Sequence, residues 1–255
     1  MRRTRQILAL TLLALPVVLA ACSSGPKAPP ASMGMVMNRS LPTTITQISL
    51  TDEHGRSQSI AAMSAKETVV LVPFLTLCAE VCPLTTGNVV KVQGDLEAAG
   101  AAGKVRLVEI SMDPERDTVQ RLNAYGKLFN SGVTFARTDA ASLKTLAKYF
   151  GWAYEVEQLK VNDETGALPK DWMTGETVTT DVAHSNGYEV IVPAHRWRFM
   201  NASAPGFKGK LPAKLEAYLN EEGHKNISSP SQLAWTPAQM DQVISWATGL
   251  SVSSS

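Results

Sequence analysis

Val69–Pro83 reads VVLVPFLTLCAEVCP. Val69–Leu75 is a continuous apolar run with branched side chains, too short for a one-faced helix, and this composition predicts a buried strand. It leads directly into Cys78 and Cys82, with Pro83 immediately behind. Proline suits the first turn of a helix, where its missing N–H is not needed. The stretch therefore predicts strand, short loop and helix N-terminus, with both sulfurs at the positive end of the helix dipole. That field favours thiolate, which is both the nucleophile and the metal ligand. Two residues between the cysteines would suggest a thioredoxin-type redox motif. The three found here give a wider span, able to close a disulfide or to chelate one soft metal ion. Two small buried hydrophobes are the inert alternative.

Ahead of this stretch the chain opens MRRTRQILALTLLALPVVLAAC. Arg2, Arg3 and Arg5 precede the apolar Ile7–Ala14, and Ala20–Ala21 offers small residues for cleavage, the pattern of an export signal over 1–21. Leu19-Ala20-Ala21-Cys22 resembles a bacterial lipobox, which predicts lipidation at Cys22. A plain secretory signal and an uncleaved anchor are the alternatives. The expected location is the extracytoplasmic face of a bacterial membrane, held there by the N-terminal lipid. The part after the signal carries two more acidic than basic residues, so nothing points to nucleic acid.

With Cys22 lipidated, Cys78 and Cys82 are the remaining thiols of a 255-residue chain. A chain this long does not depend on a staple, and so small a loop would stabilise little. In an oxidising compartment a lone close pair points to redox or metal chemistry.

Residues 22–42 are rich in Ser, Gly, Pro and Ala and are expected to be a flexible spacer. Met33, Met35 and Met37 alternate within it. Thioethers can hold Cu(I), but plain linker hydrophobes are the favoured reading. A domain is expected over 43–222. Its strands are predicted at Ile45–Leu50, the organising run, Lys104–Ser111, Val133–Ala136, Tyr188–Val192 and Arg196–Met200. Helices are predicted from the cysteine loop to about Leu96, from Val119 to Phe129 with Asp117 or Thr118 as cap, over Ala141–Phe150, and over Pro212–Leu219. Leu159–Thr180 reads as a long loop that delivers His184. Thr236-Pro237-Ala238-Gln239 is a capping box opening a last helix to Gly249, assigned to a C-terminal helical extension over 223–255. The alternation predicts a three-layer α/β sandwich of the thioredoxin type around a central mixed sheet.

Three motifs, LTLCAEVCPLTT at 75–86, ISMDPERDT at 110–118 and DVAHS at 181–185, resemble the Sco/SenC family of copper-binding cytochrome c oxidase assembly proteins. The resemblance spans about Ile48–Val192. It implies that Cys78, Cys82 and His184 bind one copper ion. Two thiolates suit Cu(I), and an added imidazole lets the set hold Cu(I) or Cu(II). Asp113 is expected either to tune the site from behind its ligands or to cap the helix ahead of Pro114. The partner implied is the copper-bearing subunit of cytochrome c oxidase, or another copper or redox protein. Ala79-Glu80 and Leu75-Thr76-Leu77 depart from the family's usual residues around the first cysteine, and Val192-Pro193-Ala194-His195 replaces its usual Asp-Gly hairpin. The rival class is a thiol–disulfide oxidoreductase, or a peroxiredoxin-like peroxidase, attacking with Cys78 and resolving with Cys82. His195 is a further candidate ligand, while His54 and His224 read as solvated.

Overall fold

The computed structural model describes residues 27–161, 166–231 and 233–253. In chain order these contain β1 (Met35–Ser40), α1 (Thr43–Thr46), β2 (Ser49–Asp52), β3 (Ser57–Ser59), α2 (Ile60–Met63), β4 (Thr68–Phe74), α3 (Cys82–Ala98) and β5 (Val105–Ser111). There follow α4 (Val119–Phe129), β6 (Thr134–Arg137), α5 (Ala140–Phe150), β7 (Tyr154–Gln158), β8 (Thr180–His184), β9 (Tyr188–Val192) and β10 (Arg196–Asn201). Three helices close the chain, α6 (Ala213–Glu216), α7 (Glu221–Ser228) and α8 (Pro237–Thr248). The predicted export signal and Cys22 lie outside the described residues. No helix among the described residues is long and apolar enough to cross a membrane.

The main sheet has the order β1-β10-β9-β4-β5-β6-β2-β3. Strand β4 is buried at every position, which is why it reads as an unbroken apolar run. It runs parallel to β5 and antiparallel to β9. Pro73 lies beyond the last β9 pair, at Leu71↔Glu189, so that ladder needs no N–H from it. The inner unit β4-α3-β5, then β9-β10-α8, in the order β10-β9-β4-β5, is the thioredoxin arrangement. Helices α3, α4 and α8 cover one face. Thr86 of α3 meets Tyr125 of α4 at 3.1 Å, and Trp246 of α8 packs edge-on against Phe199. On the other face Phe150 of α5 packs against Trp152 and Trp197. The result is three layers around a mixed sheet.

Three expectations are corrected. The spacer assigned to 22–42 ends early, because Met35–Ser40 pairs with β10 and Met33 is buried. The strand expected at Ile45–Leu50 is instead a helical turn, Thr43–Thr46, followed by β2. Its apolar residues Ile45 and Ile48 are both buried, and strand alternation cannot be told from one turn of helix over so few residues. The region 223–255 is no appendage, since α8 buries Met240, Val243 and Ile244 in the main core. The strand β7, which pairs with β8 as a separate two-stranded arm, and the helix α7 were not foreseen. Residues 205–220 wrap the outer side of α3, where Leu84, Phe207, Leu211 and Leu219 form a second small core.

Candidate metal centre

Helix α3 opens at Cys82 with Pro83 in its first turn, as the sequence predicts. Cys78, half-buried, turns its sulfur back to that helix end and accepts the amide N–H groups of Val81 and Cys82, each at 3.3 Å. A hydrogen bond from the Cys82 thiol, with the amide donors behind it, outweighs burial and holds the Cys78 thiol below its ordinary value. Cys82 goes the other way. Burial pushes it well up, and the hydrogen bond and charge of Cys78 push it further. One sulfur is thus prepared as thiolate while its neighbour keeps the proton. Both are free thiols.

His184 comes to this pair from the end of β8. Its Nε2 stands 3.3 Å from the Cys82 sulfur. Its Nδ1 lies 2.7 Å from the Ser185 carbonyl, an acceptor, so Nδ1 carries the hydrogen and Nε2 faces the sulfur with its lone pair. Burial lowers the imidazole's pKa and keeps it neutral, the form that can ligate. The one Cys82 proton has two acceptors in reach, Cys78 and His184. Among the described residues no three His, Cys, Asp or Glu side chains are gathered closely enough to hold a metal ion without movement. Cys82 and His184 are already in contact, and Cys78 lies four residues earlier, in the loop that leads into α3.

The cysteine loop is tied down from outside. Trp172 donates to the Thr76 carbonyl (2.6 Å), Tyr218 to that of Leu77 (3.1 Å) and the Asn220 amide to that of Ala79 (3.0 Å). Gly223 must be glycine there, because a Cβ would stand 2.5 Å from the Ala79 carbonyl. From beneath, buried Asp117 accepts from the Thr76 hydroxyl (2.5 Å) and amide (3.3 Å) and from the Ser111 hydroxyl (2.6 Å). Its burial raises its pKa to about 6 against these hydrogen bonds. Thr118, the other candidate, is the cap of α4. One turn inside Cys82, Thr86 donates to Glu109 at 2.7 Å, and burial lifts that carboxyl to about 8. A cleft of about 360 Å³ opens beside the loop between Leu77, Glu80, Asp181 and Tyr218.

The carboxylate of Asp113 is paired with Arg116, which also donates to the Thr180 carbonyl at 2.6 Å. Its reach toward the site is through the strand that carries His184. His195 is elsewhere, with Nδ1 2.8 Å from the Ser64 hydroxyl. His54 is paired with Glu53 at the surface, and His224 is exposed. Sequence reasoning missed Trp172, in the loop read as having no period, and Tyr218 and Asn220, at and just beyond the end of the helix expected over Pro212–Leu219. It also missed Glu109, hidden in an apolar strand.

The sequence profile of the SCO1/SenC family matches residues 37–172, a little over half of the chain. The chain belongs to the SCO1/SenC family. The matched region contains both cysteines and Asp113 but stops before His184. A protein of Stutzerimonas stutzeri, named "putative copper-binding protein", is 28% identical over 107 residues, which is 42% of this SCO1/SenC chain and 52% of that protein. The chain thus spans about half the length of that curated relative. Arabidopsis thaliana ScoI, solved with copper bound, aligns with a TM-score of 0.47 at 19% identity, over 72% of this chain and 94% of that one. Bradyrhizobium japonicum ScoI, also with copper bound, gives 0.44 at 21% identity, over 67% and 93%.

Proposed function

We propose that this chain is an extracytoplasmic copper chaperone. Cys78, Cys82 and His184 take one copper ion, and the recipient is the dinuclear copper site of cytochrome c oxidase, which receives the metal or has its thiols reduced. The observation that carries the reading is His184 Nε2 facing the Cys82 sulfur at 3.3 Å, with Nδ1 committed to the Ser185 carbonyl. A dithiol enzyme has no need of such an imidazole, whereas two sulfurs and one neutral nitrogen suit copper in either oxidation state. Cys78, already hydrogen-bonded to the Cys82 thiol, completes the set. Family membership and the name of the Stutzerimonas relative support copper as cargo. The lipobox-like start supports attachment to the membrane.

Titrating the chain with Cu(II) tests this. The expected result is one equivalent bound, with strong sulfur-to-copper absorption that His184→Ala weakens at least about tenfold in affinity. No copper uptake, or a spectrum indifferent to His184→Ala, would overturn the ligand set.

The polarised pair supports a second reading, thiol–disulfide exchange. Cys78 would attack as thiolate, and the Cys82 thiol would resolve the mixed disulfide. In that case turnover with a disulfide substrate survives His184→Ala and stops in either cysteine variant.

A further inference from the structure

Methionines crowd the open edge of the main sheet, outside the cysteine site. Met35 on β1 stands directly across from Met200 on β10. Antiparallel partners carry their side chains on the same face, about 5 Å apart at Cβ. Val36, paired with Phe199, points to the other face, and Met37 follows two residues after Met35, where the regular ladder ends. Gly34 sets the approach. Its φ is 141°, and a Cβ there would lie 2.2 Å from the Met200 carbonyl and 2.6 Å from the Phe199 ring. Only glycine lets β1 start so close against β10. A bulge follows between Val36 and Arg39, with Asn38 in the left-handed region and its side-chain oxygen 2.9 Å from Arg198.

Burial in this group is graded. Met35 is 56% exposed, and Met37 and Met200 are partly buried against the core. Long unbranched thioethers anchored at the base and open at the tip can converge on one ion without repacking the core. Thioether sulfur carries no charge or proton, so such a set selects a soft monovalent cation and gives little hold to Cu(II) or Zn(II).

We propose that Met35, Met37 and Met200 form a second metal site, for Cu(I), on the β1–β10 edge, separate from Cys78, Cys82 and His184. Met35 itself lies just ahead of the region matched by the family profile, which begins at residue 37. The site stands whether or not the cysteines bind copper.

The test uses the chain with Cys22, Cys78 and Cys82 all replaced by serine and its methionine methyls labelled with carbon-13. Ag(I), which keeps one oxidation state, is the probe. One equivalent is expected to shift the Met35, Met37 and Met200 methyls together, leaving buried Met63, Met112 and Met240 in place. Met35→Leu and Met200→Leu should each weaken binding about tenfold or more. No shift at one equivalent, or an equal shift at the isolated exposed Met173, would overturn the site. Should the serine variant not fold, a second equivalent of Ag(I) on the unaltered chain reads the same methyls, and the same shifts support or overturn the site.

Discussion

Two cysteines four residues apart are driven in opposite directions by where their sulfurs point. Cys78 looks at amide donors on the helix end, and Cys82 looks into the core and at His184. Buried acids are displaced as well. Burial raises Glu109 and Glu189 to about 8 and Asp117 to about 6. An acid whose folded pKa is raised holds its proton in the native state after the unfolded chain has released it. Stability from such groups is present below about pH 4 and is lost as pH climbs through the raised values. The chain is therefore expected to melt at lower temperature near pH 8 than near pH 5. Glu109→Gln should flatten that decline by on the order of a few kcal/mol and melt above the parent near pH 8. Calorimetry across that range checks it, and an unchanged slope would remove Glu109 from the account. Asp117→Ala strands the Thr76 and Ser111 groups, and a loss of about 2–4 kcal/mol is expected from denaturant unfolding. The Cys78 loop should at the same time react more evenly with alkylating reagents as its amide cradle loosens.

The elements around the site divide into a rigid base and a strapped arm. Cys78 and Cys82 sit where β4, backed by β5 and β9, hands over to α3. His184 instead rides on β8, whose one ladder partner among the described residues is β7. Arg116, bridging Asp113 and the Thr180 carbonyl, straps that arm to the base beside Val182, which is buried in the main core. Arg116→Ala should leave the melting temperature nearly unchanged, speed amide exchange in β7 and β8, and weaken copper binding about tenfold. Unaltered exchange in the arm would show that the strap lies elsewhere.

At the scale of the whole molecule, α8 closes the face that α3 opens. It buries Met240, Val243 and Ile244, each worth about 1.5–3 kcal/mol relative to exposure. Their sum rivals a domain's entire net stability of about 5–15 kcal/mol. A chain ending at Ser231 is accordingly expected to lose cooperative unfolding by circular dichroism. A sharp transition at the parent temperature would restore 223–255 to the status of an extension.

The sequence by itself determined the strand–loop–helix around the cysteines, because a run buried on both faces and a proline in a first helical turn are local signals. It determined the capping box of α8 for the same reason. Cys78, Cys82, Asp113 and His184 were all legible as candidates from their motifs. Only the tertiary structure decided that α8 completes the thioredoxin unit and that Met35–Ser40 is a strand. Both depend on partners far along the chain, and neither exposed edge residues nor a polar lead-in carries a period. The clamp of Trp172, Tyr218 and Asn220 on the cysteine loop was likewise invisible, since it is made with backbone carbonyls that no side-chain pattern announces. The same holds for the turn of His184. Its place in the chain was readable, but which nitrogen faces the sulfur depends on one carbonyl, Ser185, presented by the fold.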